Sequence, residues 1–456
     1  MLQIARNSAV SGCGGVHRRT AIGIGACSAL GLTLPQILRA DAESERREKS
    51  VILIWLDGGP SQLETYDPKP EAPADYRGPW TAIPTSIPGT FVTEKFPLQA
   101  KQADRFSIIR SLHHDNGDHF AAGHWMLTGR FGSTAANLAP MYPSLGSHIT
   151  RVKGITRNGL PGYVGLPAAH AIYKYPGYMG AAYLGEAFNP FQVNNSQRYL
   201  ASTYTAGIKP PTFLASLKDD SAGRAADRVG LLKQLDQTQR LIDSTGLMDS
   251  MDVYQQQALE MVSGPKAREA FDIEHESAAT RDRYGRGPWG HYTLFARRLV
   301  EAGVRFVTVD MPHWDNHSGI EKGHGAKVPV VDQAVSALLD DLTDRRLLDD
   351  VIVLVMGEFG RTPRLNKGQP GIPIPGRDHW GNAISAMIAG GGLKGGQVVG
   401  ATNSKAEHPV ARPLRPGNLL ATVYQTLGID PSQTFKDYSG RPVAILDERE
   451  PIHELL

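Results

Sequence analysis

The stretch from residue 290 to residue 358 alternates two patterns, and that alternation limits the folds open to the chain. "GHYTLFARRLVEAG" (290–303) has helical spacing, with Leu294, Phe295, Leu299 and Val300 on one face and Gly303 placed as a C-terminal cap. "VRFVTVD" (304–310) is a short run rich in β-branched residues that ends on Asp310. "VPVVDQAVSALLDDLTDRRLL" (328–348) is a second amphipathic helix, and "VIVLVMGE" (351–358) a second apolar run, ending at Glu358. A strand–helix–strand order at this spacing implies a crossover connection and a parallel sheet.

Other segments extend the pattern. "SVILIWLDGG" (50–59) is a buried parallel strand feeding a loop at Asp57, and "RFSIIRSL" (105–112) is a strand followed by a loop that opens into a helix. "AISAMIAGGG" adds a strand and "RPGNLLATVYQTLGI" a late helix. Residues 150–262 read as an insertion: Gly, Pro, Tyr and Asn dominate to about 220, and 223–262 has helical character. The expected architecture is one α/β domain over 48–430, with helices on both faces of a mainly parallel sheet, this insertion, and a C-terminal tail at 431–456.

In open parallel sheets ligands sit beyond the carboxyl ends of the strands. Three predicted strands end there in acids: Asp57, Asp310 and Glu358. Histidines follow in the segments leaving those strands. His113, His114, His119 and His124 come after the strand at 105–112; His313, Asp315 and His317 come after Asp310; and a glycine-rich loop leads from Glu358 to Asp378-His379. Mixed imidazole and carboxylate donors suit zinc, manganese or iron better than calcium or magnesium. Acids gathered at one edge also need a compensating cation. The candidate metal ligands are Asp57, Asp315, His317, Glu358, Asp378 and His379. Arg361 is the nearby protein cation, expected to grip an anionic substrate bidentately. Plainer readings stand beside these. Asp57 can be a turn or cap residue, Asp315 and His317 a polar turn, and Glu358–Arg361 an ion pair. Asp378-His379 can be a loop fastened by hydrogen bonds, and His113 and His114 read as ordinary strand-end residues.

Lys plus Arg number 48 against 46 Asp plus Glu, and no basic run appears, which argues against a nucleic-acid binder. The two cysteines, Cys13 and Cys27, both lie near the N-terminus, so the domain itself carries no disulfide and no thiolate site. Arg18-Arg19, a modest apolar stretch and Ala40-Asp41-Ala42 give residues 1–42 the look of a twin-arginine export signal, hence a periplasmic location; an amphipathic or disordered tail is the bland alternative. No later segment reaches the roughly 18 apolar residues of a membrane span.

"WLDGGPSQLETYDPKP", "SLHHDNGDHFAAGHWMLTGR", "WDNHSG", "GEFGRTPRLN" and "GRDHWGN" resemble the DUF1501 family, within the alkaline phosphatase/sulfatase superfamily. That resemblance implies an alkaline-phosphatase-like three-layer sandwich with one or two divalent metals at the strand ends, zinc or manganese favoured and calcium or magnesium compatible. It places a first-strand metal ligand at Asp57 and a distal metal histidine at His379. It also implies hydrolysis of an anionic phosphate or sulfate ester, sulfated or phosphorylated glycans being one such class. The superfamily's nucleophile position falls on His119, and no Cys, Ser or Thr occurs from His113 to Met126. Formylglycine chemistry is thereby excluded. His119 is left as nucleophile, base or ligand, His124 as base or ligand, and Ser61 as a distant substitute. The rival expectation is a catalytically inactive binding or scaffold protein for a polysaccharide or a protein partner.

Overall fold

The computed structural model describes residues 48–132, 141–154, 160–169, 177–193 and 269–456. The segment 1–42, read as an export signal, and the stretch 223–262, expected to be helical, lie outside the described residues. Eight strands make the central sheet: β1 (Ser50–Trp55), β2 (Phe106–Leu112), β3 (Tyr163–Leu166), β4 (Phe191–Gln192), β5 (Phe306–Asp310), β6 (Val351–Met356), β7 (Ile384–Gly390) and β8 (Val398–Val399). Their spatial order is β8-β2-β7-β6-β1-β5-β3-β4. β1 pairs in parallel with both β5 and β6, while β7 runs antiparallel to its neighbours β6 and β2.

The central strands are continuous apolar runs because the sheet is covered on both faces. Every residue of β1 and β6 is buried. Ile52 and Ile54 enter a core with helices α3 (Pro288–Glu301) and α4 (Val328–Asp344). Val51, Leu53 and Trp55 enter the opposite core with α1 (His119–Thr128), α2 (Leu145–Lys153) and α5 (Pro416–Thr426). The result is a three-layer α/β sandwich. Each aliphatic side chain wholly buried in these cores contributes roughly 1.5–3 kcal/mol relative to exposure. Gly303 ends α3 as its position predicted. Its φ is +105°, the Gly303 amide donates to the Val300 carbonyl at 3.0 Å, and the Val304 amide donates to Leu299 at 2.9 Å.

Two boundary expectations change. Tyr163–Leu166, read as part of a surface insertion, is a wholly buried strand pairing with β5. The expected tail 431–456 buries Ile445, Leu446, Ile452 and Leu455 in the core beside α5. Both segments are too short to show a period, and their burial depends on partners far away in sequence.

Candidate metal centre

Adjacency of β6, β1 and β5 puts Glu358, Asp57 and Asp310 at one edge of the sheet. After β1 the chain turns at Gly58, where φ is +112° and a Cβ would lie 2.7 Å from the Asp315 amide nitrogen. Only glycine permits that conformation together with that approach. The loop leaving β5 is pinned there by a bond from the Trp314 amide to the Asp57 carbonyl, at 3.1 Å. After β6, Glu358 is wholly buried and its carboxylate accepts from the Gly58 amide at 2.9 and 3.2 Å. Gly360–Arg361 then pairs antiparallel with His379–Trp380, so the return of the glycine-rich loop delivers His379. His119 opens α1, whose N-cap Asp118 accepts from the Ala121 amide at 2.9 Å.

Three imidazoles converge on Asp315. His119 Nε2 lies 3.3 Å from Oδ2, while His379 Nε2 and His317 Nε2 lie 3.1 and 3.0 Å from Oδ1. The Nε2 atoms of His317 and His379 are 3.0 Å apart. His119, Asp315 and His379 offer ligand atoms within 4.8 Å of one another. The other nitrogen of each ring is occupied by an acceptor: His119 Nδ1 by Glu358 Oε1 at 2.7 Å, His317 Nδ1 by Asp378 Oδ1 at 2.6 Å, and His379 Nδ1 by the Gly117 carbonyl at 2.7 Å. Each acceptor can hold a proton on Nδ1, the tautomer in which a neutral ring presents its Nε2 lone pair toward the centre. That is how metal-binding histidines are oriented. The donor set fits a divalent ion of the zinc or manganese type.

The electrostatics agree with that fit. Burial opposes charge on His119, but hydrogen bonds and charges from Asp315 and Glu358 outweigh it and push its pKa up to about 10. Burial likewise opposes charge on Asp315, yet His119, His379 and Arg361 hold its carboxyl well below the usual range. Without an ion, a protonated His119 therefore bridges two carboxylates, and a cation at the centre would take the place of that proton.

Glu358 and Asp378, expected as ligands, each accept a hydrogen bond from an imidazole Nδ1. Asp57 is buried and its Oδ1 accepts from the Tyr178 hydroxyl at 2.9 Å; its carboxylate is not brought into the group around Asp315. Arg361, expected to grip substrate, is wholly buried. Its guanidinium donates to the Gly58 carbonyl, to Gly59 O at 2.8 Å and to Arg377 O at 3.2 Å, and it lies 2.8 Å from Asp315 Oδ1. The side chain is enclosed by these partners. His124 is buried too, bonded through Nδ1 to the Arg130 carbonyl at 2.8 Å and through Nε2 to the Tyr142 amide at 3.3 Å. Burial pushes it down to about 4, which keeps the ring neutral, and both ring nitrogens are engaged away from Asp315. Five positions after His119 on α1, it faces away from the centre. Ser61 is buried with its hydroxyl on Glu64. His114 braces the site instead: its Nε2 is 2.7 Å from the Glu358 carbonyl. Sequence reasoning missed that brace, the Gly117 carbonyl and Asn366, because none belongs to a recognisable ligand spacing.

A family model described as "Protein of unknown function (DUF1501)" matches residues 48–456. The chain belongs to the DUF1501 family. No curated protein matches it. Among solved structures, the DUF1501 chain is similar to the PsFucS1 sulfatase from Pseudoalteromonas sp., with 13% identity over 91% of this chain and 72% of that one, at a TM-score of 0.36. It is similar to a protein of the alkaline phosphatase superfamily from Vibrio parahaemolyticus, with 11% identity, 84% and 67% coverage, and a TM-score of 0.36. The lipoteichoic acid synthase LtaP from Listeria monocytogenes gives 11% identity, 88% and 75% coverage, and a TM-score of 0.35. Likeness at this level carries no chemistry over to the DUF1501 chain.

Proposed function

We propose that this DUF1501 protein is an exported metal-dependent hydrolase of phosphate or sulfate esters. The observation that carries the reading is the convergence of three Nε2 atoms on Asp315, with all three Nδ1 atoms held by acceptors. His119, Asp315 and His379 are the principal ligands, and His317 is a fourth donor. When bound, a divalent cation would polarise an ester oxygen and acidify water. The protein's residues do the rest. Glu358, Asp378 and the Gly117 carbonyl fix the imidazoles, and Arg361 and His114 close the floor. His317 and Asp378, with side chains 26% and 53% exposed, leave one side open to substrate. A purely structural ion is usually enclosed by its donors, so the open side favours catalysis. Export rests on the arginine pair at 18–19. Among the described residues no helix is long and apolar enough to cross a membrane.

The test is hydrolysis of aryl phosphates, phosphodiesters and sulfates by the chain from residue 43 onward, with zinc, manganese, calcium or EDTA, beside Glu358→Gln. Turnover that disappears with EDTA and in the variant is the expected result. Bound metal without turnover would favour the second reading, a binding protein that retains the fold. The absence of Ser, Thr and Cys from 113 to 126, together with the engaged hydroxyl of Ser61, is what keeps that reading in view.

A further inference from the structure

The loop from Thr362 to Asp378 is built mostly of Gly, Pro and polar residues, yet its base is tied by one side chain. Asn366 Oδ1 accepts from the amides of Gly368 and Gly376, both at 2.9 Å. Its Nδ2 donates to the His317 carbonyl at 2.9 Å and is shared between the two carboxylate oxygens of Asp378, each at 3.3 Å. The orientation of the amide is fixed by its partners, since backbone amides only donate while the carbonyl and the carboxylate only accept. The Oδ1 contacts alone would be enough to close the loop. The Nδ2 contacts go elsewhere, to the backbone of His317 and to the carboxylate that accepts the hydrogen bond of its Nδ1.

We infer that Asn366 is a positioning residue for the metal centre, acting on His317 through Asp378. The inference rests on the metal reading of that centre. Asp378 is half-exposed, and without a second anchor an exposed carboxylate exchanges its partners with water. Asn366 removes that freedom. With Asp378 fixed, the His317 proton stays on Nδ1 and Nε2 stays aimed at the position shared with Asp315 and His379. The loop is thereby coupled to ligand geometry, although Asn366 itself touches neither metal nor substrate.

Zinc affinity, measured by competition with a chromogenic chelator, tests this in the parent, Asn366→Asp and Asn366→Ala. Asn366→Asp keeps an acceptor for the two glycine amides but turns a carboxylate oxygen toward Asp378 and the His317 carbonyl. The expected result is about 10- to 100-fold weaker zinc binding in both variants, the usual effect of losing an outer-shell partner, with parent-like circular dichroism. Combining Asn366→Asp with Asp378→Asn restores a donor–acceptor pair between the two side chains but not the bond to the His317 carbonyl, and should recover part of the loss. In the metal-free protein, the His317 Nδ1 proton should be visible by nitrogen-15 NMR in the parent and exchange away in Asn366→Asp. Parent-like zinc affinity in Asn366→Asp, or loss with no recovery in the swap, overturns the positioning role. A parent that takes up no zinc overturns the metal reading itself, and this inference with it.

Discussion

Arg361 lies wholly buried with its guanidinium 2.8 Å from Asp315 Oδ1, and it also donates to the backbone carbonyls of Gly58, Gly59 and Arg377. The cation joins the turn after β1, the loop after β5 and the loop after β6, so it holds together the three segments that carry the site.

Arg361→Ala should therefore destabilise the fold by about 3–5 kcal/mol, the usual consequence of removing one partner from a buried pair. Arg361→Lys should recover only part of the loss, because an ammonium cannot span the carbonyls and the carboxylate together. Urea unfolding measures both. Parent-like stability would show that Arg361 does not hold these three segments together.

Glu358→Gln keeps an oxygen that can accept from His119 Nδ1 but brings an amide against the Gly58 amide, which now donates to the carboxylate. The expected loss in zinc affinity is about 10- to 100-fold, with a larger loss for His379→Ala, which removes a ligand. Isothermal titration calorimetry separates the two effects. Equal losses would place Glu358 among the ligands.

His119 is pushed up to about 10, so at pH 7.5 in the metal-free protein it carries a proton that zinc must displace. The sign follows: affinity rises with pH while His119 remains protonated, by roughly tenfold per unit for one proton. Calorimetry in buffers of different ionisation enthalpy should find about one proton released per zinc bound. Uptake without proton release would contradict the ligand role of His119.

Stability should fall in acid for a separate reason. Burial pushes His148 down to about 3 and His124 down to about 4, both from the ordinary value of 6.5. The unfolded chain binds these protons and the folded chain does not. Their contribution is therefore whole above pH 6.5 and is lost as pH falls from 6.5 toward those values, at about 1.4 kcal/mol per pH unit per residue. His148→Phe, set among Tyr424 and Phe435, should remove one residue's share of that slope in urea unfolding at pH 4.5–6.5. An unchanged slope would mean that His148 gains its proton inside the folded protein.

Gly58→Ala tests the backbone of the site. A Cβ there meets the Asp315 and Trp314 amides at 2.7 and 2.8 Å, on a residue with φ of +112°. Destabilisation of at least about 2 kcal/mol is expected, with loss of zinc binding as the Asp315 loop is displaced. Retained zinc affinity would show that Asp315 can be positioned without this turn.

The layout of the sheet edge was legible in the sequence. β6 is an unbroken apolar run and β1 nearly one, β5 is rich in β-branched residues, α3 and α4 carry helical stripes, and Asp57, Asp310 and Glu358 stand at the carboxyl ends of their strands. These are local signals, written within a dozen residues, and backbone preference with burial on both faces is enough to express them. Which acid stands among the Nε2 atoms and which ones accept from Nδ1 was decided only in three dimensions. Glu358 reaches His119 across 239 positions, and Arg361 reaches the Gly58 carbonyl across 303. A ligand and a ligand's hydrogen-bond partner can be the same residue type at the same strand end, a few ångströms apart. The gathering of acids and histidines at the carboxyl edge of β6, β1 and β5 follows from local pattern. Tertiary packing alone decided that Asp57 turns to Tyr178, that Arg361 is enclosed, and that three imidazole nitrogens meet at Asp315, because those outcomes depend on distances that only the assembled loops define.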